Sequence, residues 1–164
     1  MLTFTRVAKA KFSGEFQGRV LQVYSLFPEL AAHDVKCGYI RRGTRLLGTA
    51  RGWVTPKQIS LQPDVDRMTI AHELTHLLQG RNNDNHNNNC SIPHGEKACD
   101  IWAMARLPTE MLDEQPYYLL RHWQRERWVR NRAQAKALCE RAIEVRKTER
   151  QYIKWLSLEL RHLK

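Results

Sequence analysis

The stretch 69–79, with the sequence TIAHELTHLLQ, constrains the fold of this chain more than any other. It contains the pattern His-Glu-x-x-His, formed by His72, Glu73 and His76. On an α-helix, residues four apart lie ~40° apart in azimuth and ~6 Å apart along the axis. The pattern therefore predicts a helix that presents two imidazoles from one face, close enough to bind one metal ion. Glu73 would lie beside the first ligand, where its carboxylate reaches a water molecule at the metal without being a ligand.

The other side chains of this stretch indicate a buried helix, because apolar residues cover most of its remaining surface. These residues are Ile70, Ala71, Leu74, Leu77 and Leu78. Burying two imidazoles and a carboxylate without partners would cost several kcal/mol, and a bound metal ion removes that cost. The same short pattern also arises by chance on exposed helices, but the apolar setting favours a metal site.

The charge of the chain is unevenly distributed along its 164 residues. Residues 1–120 contain 14 Lys and Arg against 12 Asp and Glu, a net +2, whereas residues 121–164 contain 13 against 5, a net +8. We therefore predict one domain over 1–120, followed by a basic, amphipathic helical extension over 121–164.

Other features of the sequence bear on location and redox state. The chain has no apolar run near ~18 residues, which excludes a membrane span. Residues 1–6 lack the apolar core of a signal peptide, so the sequence predicts a cytoplasmic protein whose four cysteines are reduced. A disulfide between Cys90 and Cys99 is a less favoured alternative. The cysteines form no Cys-x-x-Cys pair, which argues against a thiolate zinc knuckle.

Hydrophobic periodicity and turn residues predict an α+β fold. Helices are expected over 15–32, 66–79 and 95–106, strands over 34–42, 45–54 and 58–61, and helix over most of the chain after 118. The short, closely spaced strands predict an antiparallel meander. The third of them, 58–61, is a candidate edge for an extended peptide, with an ordinary interior strand as the alternative.

The predicted helix over 95–106 contains the candidates for a third metal ligand. Catalytic zinc sites combine three protein ligands with one open position. Gln79 and Asn82 stand where the metzincin pattern requires Gly and His, which excludes that class. Glu96 and Asp100 form a Glu-x-x-x-Asp pattern and share a helix face, so Glu96 can bind metal while Asp100 accepts the free ring N–H of a ligating His. The alternative is a solvated helix face near an N-terminus, where acidic residues are generally favoured.

Together these motifs resemble the gluzincins, the thermolysin-like zinc peptidases, and most closely the small archaeal minigluzincins. The resemblance covers about residues 16–120 and depends on the stretches 71–79, 95–106 and 116–119. It implies a small antiparallel sheet packed on an active-site helix and a glutamate helix. It also implies one zinc ion per chain, bound by His72, His76 and Glu96, a peptide or protein substrate, and latency imposed by a C-terminal segment. Peptide-bond hydrolysis with Glu73 as general base is the mechanism that follows.

Two other functions fit parts of the sequence. The stretches 82–84 and 94–95 resemble SprT-like proteases, in which His94 would replace Glu96 as third ligand and the basic tail would bind DNA phosphates. That interpretation leaves Asp100 without a role and is not favoured. The other alternative is a non-catalytic interaction module with structural zinc, whose tail self-associates.

Several further residues are candidates for supporting roles. Tyr117, Tyr118 and His122 follow the second predicted helix and are candidates for contacting the oxyanion or the substrate, although packing is the favoured role of the two tyrosines. His162 would be an inhibitory zinc ligand if the tail folds back over the site. The favoured role of the tail is a helical hairpin that packs on the first domain or on a second copy, and DNA binding is less favoured.

Overall fold

A computed structural model of the protein describes residues 1–79 and 92–163. It shows the α+β fold expected from the sequence. The strands are β1 (Leu2–Phe4), β2 (Val35–Tyr39), β3 (Gly48–Arg51) and β4 (Lys57–Leu61). The helices are α1 (Arg6–Lys11), α2 (Gly14–Tyr24), α3 (Arg67–His76), α4 (Glu96–Arg106), α5 (Tyr117–Leu120), α6 (Arg125–Val145) and α7 (Tyr152–His162), with 3-10 turns at Pro28–Leu30 and Thr109–Met111. No helix in the described part of the chain is long and apolar enough to cross a lipid bilayer.

The four strands form a mixed sheet in the order β1-β2-β4-β3. β2 is parallel to both β1 and β4, and only β3 is antiparallel to its neighbour β4. The predicted antiparallel meander is therefore wrong. Helices α1 and α2 connect β1 to β2, and a crossover of this kind returns the chain in the same direction.

The strand order also corrects the expected position of the third predicted strand. β4 lies between β2 and β3, so its backbone is paired on both sides and it is not an edge. The expectation that 58–61 accepts an extended peptide is therefore wrong. β3 is the edge strand on the side of the sheet next to α3, and its outer backbone groups are the ones available for pairing.

Helix α3 is the buried helix predicted from the stretch 69–79. Asp66 caps it by accepting a hydrogen bond from the backbone N–H of Thr69, at 2.8 Å. Almost every residue from Met68 to Thr75 is buried, because α2, β3 and α4 surround the helix. Helix α4 begins after Gly95, whose φ of 111° suits a residue without a side chain.

Helices α6 and α7 form a hairpin that packs on α4. The buried side chains of the hairpin belong to the same hydrophobic cluster as the sheet and α2–α4: Trp128, Ala135, Cys139, Ala142, Tyr152, Leu156 and Leu160. The tail thus covers its apolar stripe with the rest of its own chain, as the favoured prediction expected.

Candidate metal centre

Three candidate ligand atoms, two from α3 and one from α4, lie close together. The Nε2 atoms of His72 and His76 lie 3.1 Å apart. Glu96 Oε2 lies 2.9 Å from His72 Nε2 and 3.4 Å from His76 Nε2. The sequence predicted these three residues as ligands, and the structure brings them together.

Asp100 fixes the orientation of His72. Its Oδ1 atom lies 2.7 Å from His72 Nδ1, and its Oδ2 atom accepts the backbone N–H groups of Tyr118 and Leu119, each at 2.8 Å. Both oxygens of Asp100 therefore act as acceptors, so the ring proton of a neutral His72 lies on Nδ1 and leaves Nε2 as the ring nitrogen that can bind a metal. Burial lowers the pKa of His72, but the hydrogen bond and charge of Asp100, with smaller contributions from Glu73 and Glu96, outweigh burial and raise it.

Gln79 has the corresponding contact with His76. Its Oε1 atom lies 2.8 Å from His76 Nδ1, while its Nε2 donates to the carbonyl of Pro93 at 2.5 Å. The bond to Pro93 fixes which end of the amide faces the imidazole, so His76 Nδ1 is the donor and its Nε2 is unprotonated. In the sequence, Gln79 was informative only as a departure from the metzincin pattern. A glutamine three residues after the second histidine is a weak signal for this contact.

Cys99 is a further ligand type that sequence reasoning missed. Its Sγ lies 3.2 Å from His76 Nδ1. The ligand atoms that His72, His76 and Cys99 offer lie within 4.8 Å of one another, so this buried group can hold a metal ion. The Nε2 side is the better place for an ion with an open position. Cys99 is fully buried and meets the imidazole edge already bonded to Gln79, whereas Glu96 is half-exposed and borders a cavity.

Glu73 lies beside these ligands under the edge strand. Its side chain is buried, and burial raises its pKa to about 7, with the charge of Glu96 adding to the rise and His72 opposing it. β3 crosses directly over it, because a Cβ atom on Gly48 would lie 2.5 Å from Glu73 Cγ and 2.7 Å from its Oε1. The glycine is therefore required for the close approach of strand and carboxylate.

A cavity of about 790 Å³ opens beside the ligands. Its walls include the segment after β3, with the exposed Trp53, together with His76, His94 and Glu96. His94, the third ligand of the SprT-like alternative, thus borders the cavity, but the Glu96 carboxylate is the group that lies against both Nε2 atoms. Residues 82–84, on which that alternative also depended, lie outside the described residues.

The remaining candidates lie around the start of α5. The Tyr118 ring stacks on the His72 imidazole, with centroids 5.5 Å apart. Tyr117 is 68% exposed and meets the Tyr118 ring edge-on. His122 is exposed and accepts a hydrogen bond from Arg121 Nε, at 3.1 Å. Only Tyr118 of these three contacts a residue of the metal centre directly.

The position of α7 argues against His162 as an inhibitory ligand. Ile153, at the start of α7, lines a second cavity that Glu96 also borders. His162 is nine residues further along, ~13 Å away on the helix axis. That end of α7 is attached to α6, where Arg127 donates to the Leu163 carbonyl at 2.6 Å. Cys90, and with it the alternative disulfide to Cys99, lies outside the described residues, as does Lys164.

The chain was compared with known families, curated proteins and solved structures. No family, no curated protein and no solved structure matches it.

Proposed function

We propose that this protein is a zinc-dependent metallopeptidase that hydrolyses peptide bonds with Glu73 as general base. The observation that carries this proposal is the convergence of two imidazole nitrogens and a carboxylate oxygen, 2.9–3.4 Å apart. Three electron-pair donors facing one another repel unless a cation lies between them. Their hydrogen-bonded partners, Asp100 and Gln79, occupy the opposite edges of the two rings.

The donor set fits zinc. Two imidazoles and one carboxylate form a typical catalytic zinc ligand set, and a fourth position stays open for solvent or substrate. Donor atoms that each lie ~2.1 Å from a tetrahedral zinc are separated by about 3.4 Å. The three observed separations, 2.9, 3.1 and 3.4 Å, need only small side-chain adjustments to reach that spacing. We therefore assign one zinc ion per chain to His72, His76 and Glu96.

Each residue of the site has a separate role in the proposed reaction. Zinc, when bound, supplies Lewis acidity toward a water molecule and the scissile carbonyl. Glu73 accepts a proton from the attacking water and transfers it to the leaving amine. Burial raises the pKa of Glu73 to about 7 in the metal-free chain, and the charge of a bound zinc ion would lower it again and favour the carboxylate that accepts the proton. Asp100 and Gln79 hold the two imidazoles so that their Nε2 atoms point to the ion.

The substrate in this proposal is an extended peptide that pairs with β3. β3 is an edge strand and passes over Glu73, so a peptide added along it would bring a backbone carbonyl to the metal centre. The cavity beside β3, with Trp53 in its wall, would receive substrate side chains.

Glu73→Gln tests the general base. We expect the zinc-loaded variant to lose hydrolysis of casein and of a peptide library by at least about 10²-fold, while it keeps one zinc per chain by elemental analysis. Glu126→Gln, an exposed carboxylate on α6, is the matched control and should behave as wild type. Wild-type turnover by the purified Glu73→Gln protein would show that this mechanism is wrong.

The thiol of Cys99 favours one second candidate, a non-catalytic module with structural zinc. A fourth protein ligand would close the coordination sphere, and Cys99 is close enough to His76 to be considered. Cobalt substitution separates the two functions, since a thiolate ligand gives an intense near-ultraviolet charge-transfer band that Cys99→Ser removes. We expect no such band from the wild-type protein, because the Cys99 thiol faces the Nδ1 edge of His76 and not the Nε2 atom assigned to zinc.

A further inference from the structure

A second cavity, of about 480 Å³, lies on the other side of Glu96 from the first. Both cavities are lined by His94, Gly95 and Glu96, so they meet at the metal centre. A peptide whose scissile bond lies at the centre, with one side along β3, would extend its other side toward this second cavity. This inference rests on the proposed peptidase function.

The wall of the second cavity is basic. Lys97, Arg121 and His122 line it, and among the described residues of its lining only Glu96 is acidic, with a charge that the metal would neutralise. Within the described residues, no carboxylate forms an ion pair with Lys97 or Arg121. Nearby Arg125, in contrast, pairs with Glu114 at 2.6 Å. The cavity therefore presents cations without acidic partners.

The rest of the wall is apolar and aromatic. Ile153 from α7, Leu119 and the Tyr118 ring complete it. Tyr118 also stacks on His72, so this wall is continuous with the metal centre. Such a combination suits a short anionic group at the end of a carbon chain, since the chain packs on the apolar side while the charge meets the cations.

We propose that this cavity binds a carboxylate of the peptide substrate, either an acidic side chain near the scissile bond or the C-terminal carboxylate of a short peptide. Arg121 and Lys97 are the residues that select it. Arg121 already donates Nε to His122, which leaves its two terminal nitrogens to form a bidentate contact. The enzyme would then prefer peptides with a carboxylate at this position over neutral peptides.

The test measures binding and hydrolysis separately. Labelled octapeptides of Gln and Ala, each with a single Glu at one position, are titrated against the zinc-loaded Glu73→Gln protein, and the same peptides are given to the zinc-loaded wild type. Each peptide is made with a free C-terminus and as the amide, which distinguishes the two sources of the carboxylate. Arg121→Gln and Lys97→Gln are introduced into both backgrounds. Arg130→Gln, an exposed arginine on α6 that lines neither cavity, is the control.

We expect one Glu position, or the free C-terminus, to strengthen binding about fivefold, and Arg121→Gln and Lys97→Gln to remove that preference. A peptide without Glu, made as the amide, should bind equally well to wild type, Arg121→Gln and Lys97→Gln. Arg130→Gln should keep the preference for the carboxylate. Equal binding of acidic and neutral peptides would overturn the inference while leaving hydrolysis, and so the proposed function, intact. Failure of the wild type to cleave any peptide would overturn the function instead. A DNA oligonucleotide that binds better than the peptides and loses binding in Arg121→Gln would assign the cavity to phosphates and overturn the carboxylate proposal.

Discussion

The two imidazoles of the metal centre are held by chemically different acceptors. His72 Nδ1 contacts the buried carboxyl group of Asp100, whereas His76 Nδ1 contacts a neutral amide, that of Gln79. A carboxylate raises the basicity of the ring more than an amide does, so His72 should be the stronger ligand. Gln79 has a second task, because its bond to the Pro93 carbonyl ties the end of α3 to the segment just before α4.

Two substitutions separate these tasks of Gln79. Gln79→Ala removes both hydrogen bonds, and we expect zinc affinity to fall about tenfold. Gln79→Glu keeps an acceptor for His76 but loses the donor to Pro93, so it should stay within about threefold of wild type in zinc affinity. Competition against a chromophoric chelator measures both. Gln134→Ala, an exposed glutamine on α6, is the control. If Gln79→Ala binds zinc as tightly as wild type, the contact with His76 has no orienting role.

The raised pKa of Glu73 predicts how the stability of the metal-free protein depends on pH. The folded state keeps a proton on Glu73 up to about pH 7, while the unfolded chain releases it near the ordinary carboxyl pKa of 4.5. The unfolded state is therefore favoured increasingly as the pH rises from 4.5 to 7, and the effect levels off above. The loss amounts to at most about 3 kcal/mol. Glu73→Gln lacks this titration.

Urea unfolding of both proteins in EDTA at pH 5 and pH 8 measures the difference. Wild type should lose stability relative to Glu73→Gln between the two pH values. Parallel behaviour of the two proteins would mean that Glu73 titrates normally and that its burial is compensated.

Whether a residue of this site can be predicted depends on whether its contacts lie within one helix or between two helices. His72, Glu73 and His76 follow from helical spacing alone, and Glu96 and Asp100 follow from a second spacing on one helix. The contacts of Gln79 and Cys99 with His76 depend on how α4 is placed against the end of α3, which no local pattern encodes. Helical spacing therefore predicted the candidate ligands that the structure brings together, but not half of the groups that orient them.

The crossing of β3 over α3 lies at Glu73, the proposed general base. The crossing is close because Gly48 has no side chain, and the segment after β3 stays close to α3 as well: a Cβ on Gly52 would lie 3.3 Å from the Leu77 backbone. Any side chain at position 48 must displace the Glu73 carboxylate, which is a flexible group and can move.

Gly48→Ala is therefore expected to damage catalysis more than folding. The added methyl group would move Glu73 away from the water it acts on, and displacement of a general base lowers kcat by about 10²-fold. Zinc content should stay at one per chain, because no ligand contacts Gly48. Gly18→Ala is the control: nothing lies within 4 Å of its added Cβ, and alanine in the middle of α2 should stabilise the fold by about 0.5–1 kcal/mol. Unchanged kcat in Gly48→Ala would show that Glu73 tolerates the shift.

Elements were predicted better than their arrangement. α4 agrees with the predicted helix over 95–106, whereas α3 ends at His76, three residues before the predicted end, and α2 covers only the first part of the helix predicted over 15–32. β2, β3 and β4 lie within or next to the predicted strands. β1 and α1 were missed, since a three-residue strand and a six-residue helix carry too little periodicity to be recognised. No local pattern encodes the parallel pairing of β2 with β4, which places β3 on the outer side of β4, and an antiparallel meander is the simplest arrangement of three short consecutive strands.

At the scale of the whole molecule, the charge boundary near residue 120 does not coincide with a boundary in the core. The apolar face of the α6–α7 hairpin packs on α4, the helix that carries Glu96 and Asp100. The periodicity of the tail predicted amphipathic helices, but which surface they cover is a long-range property. A tail that only inhibits could be removed without unfolding the domain, whereas a tail that completes the core could not.

Truncation after residue 120 decides between these roles. Removal of the hairpin exposes the outer face of α4 and deletes buried side chains that individually contribute several kcal/mol, against a usual total stability of about 5–15 kcal/mol. We expect the chain 1–120 to lose its cooperative thermal transition and its zinc affinity together. A matched pair on α7 tests the same point in the full chain. Leu156→Ala, at a buried position, should cost about 2–5 kcal/mol, whereas Leu158→Ala, 47% exposed, should change stability by less than about 0.5 kcal/mol. A truncated protein that still unfolds cooperatively and hydrolyses peptides faster than the full chain would identify the hairpin as a detachable inhibitor instead.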